Sequence, residues 1–155
     1  MKLSPAAVCV LSLAFALLEA GAEPSIANAA RKFYPSAMWR DQSIVKGNFS
    51  CRGKQEMAIL GTSKTEIVVA VFLNGLSKKP ELLKYSTSVR RPDSAILTVE
   101  SLDFKFEDFE REVGSVPQGL LPSKTCMGLN MSDQLIDSAH IFWNRRARRF
   151  DDWVR

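Results

Sequence analysis

The densest group of chemically active side chains lies near the C-terminus, in FWNRRARRFDDWVR. Four arginines crowd one turn between two tryptophans; these six residues are Arg145, Arg146, Arg148, Arg149, Trp143 and Trp153. Planar guanidinium groups beside aromatic rings suit carboxylate, phosphate or sugar partners. The pattern predicts a binding surface for an acidic protein or an envelope polymer. The alternative is that Asp151 and Asp152 neutralise the arginines across a hairpin while the tryptophans fill the core.

The sequence contains one histidine, His140, in SAHIFW. A Ser-His-Asp or Cys-His catalytic site therefore has a single possible base. Ser138 lies two residues away, with Asp133 and Asp137 nearby, but side chains two apart on a strand are too far separated for a good nucleophile–base hydrogen bond. The sequence favours a non-catalytic, inhibitor-like or binding protein, with a small envelope hydrolase that uses His140 as the alternative.

An acidic, aromatic stretch, DFKFEDFERE, precedes a region with two prolines and two glycines. Its acids are more typical of a solvated face than of the paired carboxylates of a glycosidase. Its rings, Phe104, Phe106 and Phe109, support a third hypothesis, in which an exposed apolar patch makes the chain a structural or accessory part of an envelope complex.

Cofactors are not expected. No glycine-rich phosphate loop follows a predicted strand and no C-x-x-C pair occurs, so nucleotide, haem and iron–sulfur groups lack support. The net charge of +4 is a mild basic balance that fits an anionic partner without requiring one, and no nucleic-acid partner is expected.

The first residues, MKLSPAAVCVLSLAFALLEAGA, have the layout of a secretory signal peptide: a positive charge, an apolar run, and small residues at Ala20 and Ala22. The apolar run from Ala6 to Leu18 is short of the roughly 18 to 20 residues that a membrane-spanning helix needs. We expect cleavage of residues 1–22, or alternatively a cut after Ala29, and a periplasmic or secreted protein with no membrane span.

Cleavage leaves Cys51 and Cys126 as the only cysteines of an exported chain. In an oxidising compartment such a pair is expected to form a disulfide. Two buried free thiols are the alternative, and a zinc site is disfavoured because no further cysteine and only one histidine remain.

The stretch GNFSCRGKQEMAILG, Gly47 to Gly61, is a polar, turn-rich loop that leads into an apolar strand. Oxygen ligands at alternate positions, followed by a strand, are typical of calcium loops. The corresponding positions here are Asn48, Ser50, Arg52 and Glu56. The stretch resembles the loop of FG-GAP-type repeats in degenerate form, but Arg52 places a positive charge at a ligand position, which disfavours calcium.

A second stretch, LNMSDQLIDSAHIFW, repeats the pattern of Asn-x-Ser, a turn, an acid and an apolar strand. Its oxygen-bearing side chains are Asn130, Ser132, Asp133 and Asp137. The sequence leaves open whether this loop binds calcium or forms an Asx-type turn, in which short polar side chains bond to the backbone.

Phrases such as SKTC-GLN-SD and IDSAHI-WN resemble those of short exported proteobacterial proteins of uncharacterised function. That resemblance implies an exported single domain and brings no activity with it.

The elements that must position these groups follow from the apolar pattern. Ser25 caps a short helix that ends before Pro35. EMAILG with EIVVAVFLNG, and IDSAHIFWN with RFDDWVR, predict hairpins, and ELLKYST, SAILTVESL and KTCMGLNMS predict further strands. The expected fold class is α+β: a short N-terminal helix plus a mostly antiparallel β-sheet of about 6–7 strands, as a small sandwich or curled meander with one disulfide. The expected organisation is a signal peptide at 1–22, a helical segment at 23–46 and a β-rich domain at 47–155, the last two forming one globular unit.

Overall fold

The computed structural model describes residues 25–87, 91–134 and 138–154, which form two antiparallel sheets and two α-helices. The first sheet contains β1 (Met38–Trp39), β2 (Val45–Gly47), β3 (Glu56–Thr62), β4 (Glu66–Phe72) and β5 (Glu81–Ser86). The second contains β6 (Ile96–Ser101), β7 (Met127–Ser132), β8 (Ala139–Asn144) and β9 (Arg149–Val154). The helices are α1 (Ile26–Phe33) and α2 (Phe106–Val113).

The first sheet is built on the β3–β4 hairpin, as the β-branched run in EIVVAVF predicts. β5 pairs with the far side of β4. The other edge of β3 is shared by β1 and β2, which pair with its two halves in turn. This edge of β3 is therefore paired, and most residues of β3 and β4 are buried.

The second sheet is a simple meander in which each of β6, β7, β8 and β9 pairs with the next. Sequential antiparallel strands need only short connections, except between β6 and β7, where α2 and a loop intervene. The β8–β9 hairpin carries His140 on one strand and the predicted arginine turn at its tip.

The two sheets pack face to face through residues at alternate positions of their strands, since alternate side chains of a strand point to opposite faces. β4 contributes Ile67, Val69 and Val71, and the facing sheet contributes Leu129, Met131 and Ile141, among others. All six are at most 1 % exposed. This shared apolar layer is the main core of the molecule.

The opposite face of the first sheet is covered by α1. Ser25 caps the helix by accepting a hydrogen bond from the backbone N–H of Asn28 at 3.2 Å, as predicted. Ile26, Ala29 and Ala30 are buried against the sheet, and the helix ends before Pro35. This second layer explains why β3 and β4 are apolar on both faces.

Cys51 and Cys126 are joined at disulfide-bonding distance with their Cα atoms 4.8 Å apart, which confirms the predicted pair. Cys51 lies in the β2–β3 loop of the first sheet and Cys126 immediately precedes β7 of the second. The backbone N–H of Met127 also donates to the carbonyl of Asn48 at 3.1 Å. The bond thus fixes one end of the sheet pair.

The predicted α+β class with a dominant antiparallel sheet is confirmed, but the described chain has nine strands in two sheets where about six or seven were expected. Of the two additional strands, β1 lies in the segment 23–46 that was predicted to be helical, after α1 has ended, and β2 crosses its predicted end. Most of the helix α2 lies in the acidic, aromatic stretch DFKFEDFERE. The proposed signal peptide at 1–22 lies outside the described residues.

Candidate functional site

The predicted arginine turn is a well-bonded structure between β8 and β9. Asn144 closes it: its side-chain oxygen accepts from the backbone N–H groups of Arg146 and Ala147 at 3.1 and 3.0 Å. Its backbone carbonyl accepts from the N–H of Arg148 at 2.8 Å. An asparagine that bonds to the backbone two and three residues ahead makes an Asx-type turn, which holds the arginines in a defined arrangement.

All four arginines of the turn are exposed. Arg149 pairs with Asp151, its Nε lying 2.8 Å from Oδ1. The side chains of Arg145, Arg146 and Arg148 form no ion pair with any residue in the described part of the chain. Neutralisation by Asp151 is therefore partial, and the turn keeps a local excess of positive charge.

The two tryptophans of the predicted surface lie on opposite faces of the hairpin. Trp143 is paired in register with Phe150 and contacts it edge to face at a ring distance of 5.0 Å, on the side of the inter-sheet core. Trp153 is paired with His140 on the outer face and stacks on its imidazole at 4.1 Å. The structure thus brings the arginines together without placing both tryptophans beside them.

A groove with a volume of about 670 Å³ lies beside the turn on the outer face of the second sheet. One wall is the segment 117–119 and the other is the end of the β8–β9 hairpin, including Arg146, Arg149 and Asp151. The walls are tied together where Nδ2 of Asn144 donates to the carbonyl of Gln118 at 3.3 Å and to Oδ2 of Asp151 at 2.7 Å.

His140 lies at the other end of the hairpin and is half-buried. Its Nδ1 is 2.7 Å from Oε2 of Glu100 and 3.3 Å from Nδ2 of Asn130. Because one N–H serves one acceptor well, the shorter contact assigns the Nδ1 proton to the carboxylate and leaves Nε2 as the unprotonated nitrogen of the neutral ring. Such a carboxylate–histidine pair has the tautomer that a general base requires.

Glu100 was not singled out from the sequence. Glu100 lies on β6, opposite Gly128 of β7. A Cβ added to that glycine would lie 3.0 Å from Cγ of Glu100. Because Gly128 has no side chain, the carboxylate of Glu100 can extend across β7 towards His140 on β8.

The acids that the sequence places near His140 do not contact it in the described residues. Asp137 lies outside the described residues, and Asp133 accepts a hydrogen bond from the backbone N–H of Arg91 at 2.8 Å.

In the calcium-like loop the guanidinium of Arg52 is surrounded by oxygens. Its nitrogens donate to Oγ of Ser50 at 2.8 Å, Oε1 of Glu56 at 2.9 Å and the carbonyl of Leu73 at 2.7 Å. The positive charge that disfavours calcium is thus bound internally. No group of three or more potential metal-ligating His, Cys, Asp or Glu side chains occurs in residues 25–87, 91–134 and 138–154.

The aromatic residues of the third hypothesis are divided. Phe104 and Phe109 are half-buried and pack on each other at 4.9 Å, and Phe109 contacts Trp153 at 5.4 Å. Phe106 is 41 % exposed. Most of this aromatic surface therefore belongs to a small cluster that covers the outer face of the second sheet.

No protein-family model matches this chain, and comparisons with curated proteins and with solved structures give no significant match. Neither helix of the described segments has the length and apolar character needed to cross a membrane.

Proposed function

We infer that the chain is an exported, non-catalytic binding protein whose β8–β9 turn takes an acidic partner, a protein or an envelope polymer. The observation that carries this proposal is the turn itself. Arg145, Arg146 and Arg148 are exposed, close in sequence and not ion-paired within the described chain, on a backbone fixed by Asn144. Guanidinium groups held in this way lose little freedom on binding carboxylate or phosphate.

Export is supported by the Cys51–Cys126 bond, since disulfides persist in oxidising compartments, and by the signal-like N-terminal sequence. The groove beside the turn gives the partner a concave surface that includes Arg146. Because the contacts are mainly between exposed charges, binding is expected to weaken as salt rises.

The test is titration with polyglutamate of defined length at low and at high salt. A turn variant, Arg145→Gln, Arg146→Gln and Arg148→Gln, is compared with a control, Lys64→Gln, Lys78→Gln and Lys79→Gln. The control loses the same charge from exposed loops of the first sheet. We expect the turn variant to bind at least about tenfold more weakly and the control to bind as the parent does. Equal weakening in both variants would show an effect of net charge alone and overturn the proposal.

A second candidate function, a small hydrolase with His140 as general base, is supported by the 2.7 Å contact between His140 and Glu100. In this scheme Nε2 accepts a proton from water or a hydroxyl while Glu100 stabilises the imidazolium. Hydrolysis of an activated ester should then fall by about 10²–10⁴-fold in His140→Gln. A parent rate equal to that of buffer would exclude this candidate for that class of substrate.

A further inference from the structure

Strand β9 lies at an open edge of the second sheet. It is bonded to β8 on one side, and no other strand in the described part of the chain pairs with its second side. β5 has the same position in the first sheet, with β4 as its neighbour. The backbone N–H and C=O groups along such an edge are able to pair with a strand from another molecule.

The charges at the start of β9 are arranged symmetrically, with opposite sign, around Phe150. The sequence from 148 to 152 is Arg-Arg-Phe-Asp-Asp. When two copies of this stretch run antiparallel with Phe150 opposite Phe150, Arg149 of each copy lies opposite Asp151 of the other. Arg148 likewise falls opposite Asp152. Opposite charges on directly opposed residues stabilise an antiparallel pair, so this stretch is complementary to itself.

The charges also select this register among those that a two-fold axis allows. Two identical edges must pair around one residue that lies opposite itself, because side chains alternate between the faces of a sheet and opposed residues share a face. Centring on Arg149, Asp151 or Asp152 would place like charges directly opposite each other, which is unfavourable. Centring on Trp153 would take Arg149 away from both aspartates. Centring on Phe150 opposes both arginines with aspartates.

Both members of the opposed pair can bind a second partner. Within one chain, Nε of Arg149 lies 2.8 Å from Oδ1 of Asp151, and Oδ2 of Asp151 accepts from Nδ2 of Asn144 at 2.7 Å. A guanidinium has several N–H donors, and each carboxylate oxygen can accept more than one hydrogen bond. The side chain of Arg149 is also 70 % exposed. Pairing across the axis therefore extends the existing contact into an alternating network of two arginines and two aspartates.

The free edge of the first sheet lacks this complementarity. β5 is ELLKYS, and its two charged residues, Glu81 and Lys84, are three positions apart. Because an odd separation puts them on opposite faces of the sheet, no two-fold register brings Glu81 of one copy opposite Lys84 of the other. Pro80 precedes the strand and has no N–H to donate to a neighbour. Self-pairing is thus favoured at β9 and not at β5.

We propose that the protein forms a two-fold symmetric dimer by antiparallel pairing of its β9 edges, centred on Phe150. The contact joins two four-stranded sheets into one continuous sheet. Because the paired strands run in opposite directions, it places one arginine turn towards each end of the shared ladder. A ladder this short buries less than the roughly 1,200 Å² of a standard stable interface, so the dimer is weak and forms at high protein concentration.

The experiment is sedimentation equilibrium of the purified protein up to millimolar concentration. The parent is compared with Arg149→Asp, with Asp151→Arg, with an equimolar mixture of these two variants, and with Glu81→Lys on β5 as a control. We expect each β9 variant alone to associate at least about tenfold more weakly, because two like charges become opposed, and the control to match the parent. The mixture should regain the affinity of the parent, since each substituted side chain then faces a charge of the other sign.

A cysteine at the centre of the ladder gives a measurement that does not depend on charge. Directly opposed residues of an antiparallel pair have Cα atoms about 4.5–5.5 Å apart, which is within the range of a disulfide. Oxidation should therefore link Phe150→Cys into dimers several-fold faster than Leu83→Cys, which is also half-buried but lies on β5. Thermal melts establish which variants are folded, and cross-linking decides if a charge variant is not. A monomeric parent, a mixture of folded variants that does not regain association, or equal cross-linking would overturn the proposal.

Discussion

Nη2 of Arg52 donates to Oε1 of Glu56 at 2.9 Å, inside the loop whose spacing resembles that of a calcium site. The Glu56 carboxylate is 1 % exposed and also accepts from the backbone N–H and the hydroxyl of Ser50. The arginine thus supplies from within the chain the positive charge that a bound cation supplies in a calcium loop. A tight turn that begins a strand is preserved without the metal.

Removal of the buried carboxylate is the first test of this arrangement. We expect Glu56→Gln to lower the free energy of unfolding by about 1–3 kcal/mol, because Arg52 and Ser50 lose a charged acceptor. The exposed Glu81→Gln serves as the control, with an effect within about 0.5 kcal/mol. In a double-mutant cycle with Arg52→Met, measured by urea unfolding, the effects should couple by about 1 kcal/mol. Strict additivity, or a rise in melting temperature on adding calcium, would contradict this account.

The disulfide is expected to contribute strongly to stability. It closes a sequence separation of 75 residues between the two sheets, for which the chain-entropy model gives about 4.5 kcal/mol before any native strain is subtracted. We expect Cys51→Ser with Cys126→Ser to destabilise the protein by about 2–4 kcal/mol in urea unfolding. Reducing agent should lower the stability of the parent and leave the double variant unchanged. Equal stability of oxidised and reduced parent would contradict the prediction.

Gly119 is expected to be needed for the packing of the groove wall as well as for its backbone conformation. The φ of Gly119 is +88°, and the place that an added Cβ would take is filled by the side chain of Asn144. Gly75 has a similar φ of +84°, but an added Cβ there would have no neighbour within 4 Å. Gly75→Ala should therefore cost only the backbone term, about 1–2 kcal/mol. Gly119→Ala should lower the stability more than Gly75→Ala does, and it should weaken binding of the acidic partner. Thermal unfolding of both variants measures the difference, and equal costs would show that packing at Gly119 is unimportant.

Glu66 is expected to titrate below the ordinary range. The Tyr34 hydroxyl donates a hydrogen bond to the Glu66 carboxylate, and the Lys84 ammonium lies 3.5 Å from the same group. Both contacts lower the pKa of Glu66 from its ordinary value of 4.5, the hydrogen bond more than the positive charge. A lowered folded-state pKa contributes stability above pH 4.5 that is lost as pH falls through the folded value. Tyr34→Phe should raise the pKa of Glu66 in an NMR titration of the carboxyl carbons, with Glu81 as the unaffected control. An unchanged pKa would show that the hydrogen bond is not formed in solution.

Much of the fold could be predicted because its signals are local. The β-branched residues of β4, the Ser25 cap and the arginine turn each depend on neighbours in sequence. Strands β1 and β2 are two and three residues long, too short for a period-two pattern, and exist because they pair with the free edge of β3. Trp39 of β1 lies over Gly61, a contact that only the register of the sheet defines.

The candidate site was predictable to the same extent. The arginines follow one another in sequence, but the contact between Glu100 and His140 joins residues 40 apart through a strand that carries Gly128 between them. Because the two tryptophans flank the turn in sequence, the sequence pattern alone groups them with the arginines. The hairpin register places Trp143 opposite Phe150 and Trp153 opposite His140, and this alternation directs the two rings to opposite faces.

The most direct measurement of the central claim is an NMR spectrum of the arginine Nε–Hε groups during titration with polyglutamate. The account predicts that the resonances of Arg145, Arg146 and Arg148 shift together with ligand concentration, more than those of Arg31 and Arg40 outside the turn. Shifts confined to arginines outside the turn, or no shift with polyglutamate, would contradict the claim that the β8–β9 turn binds an acidic partner.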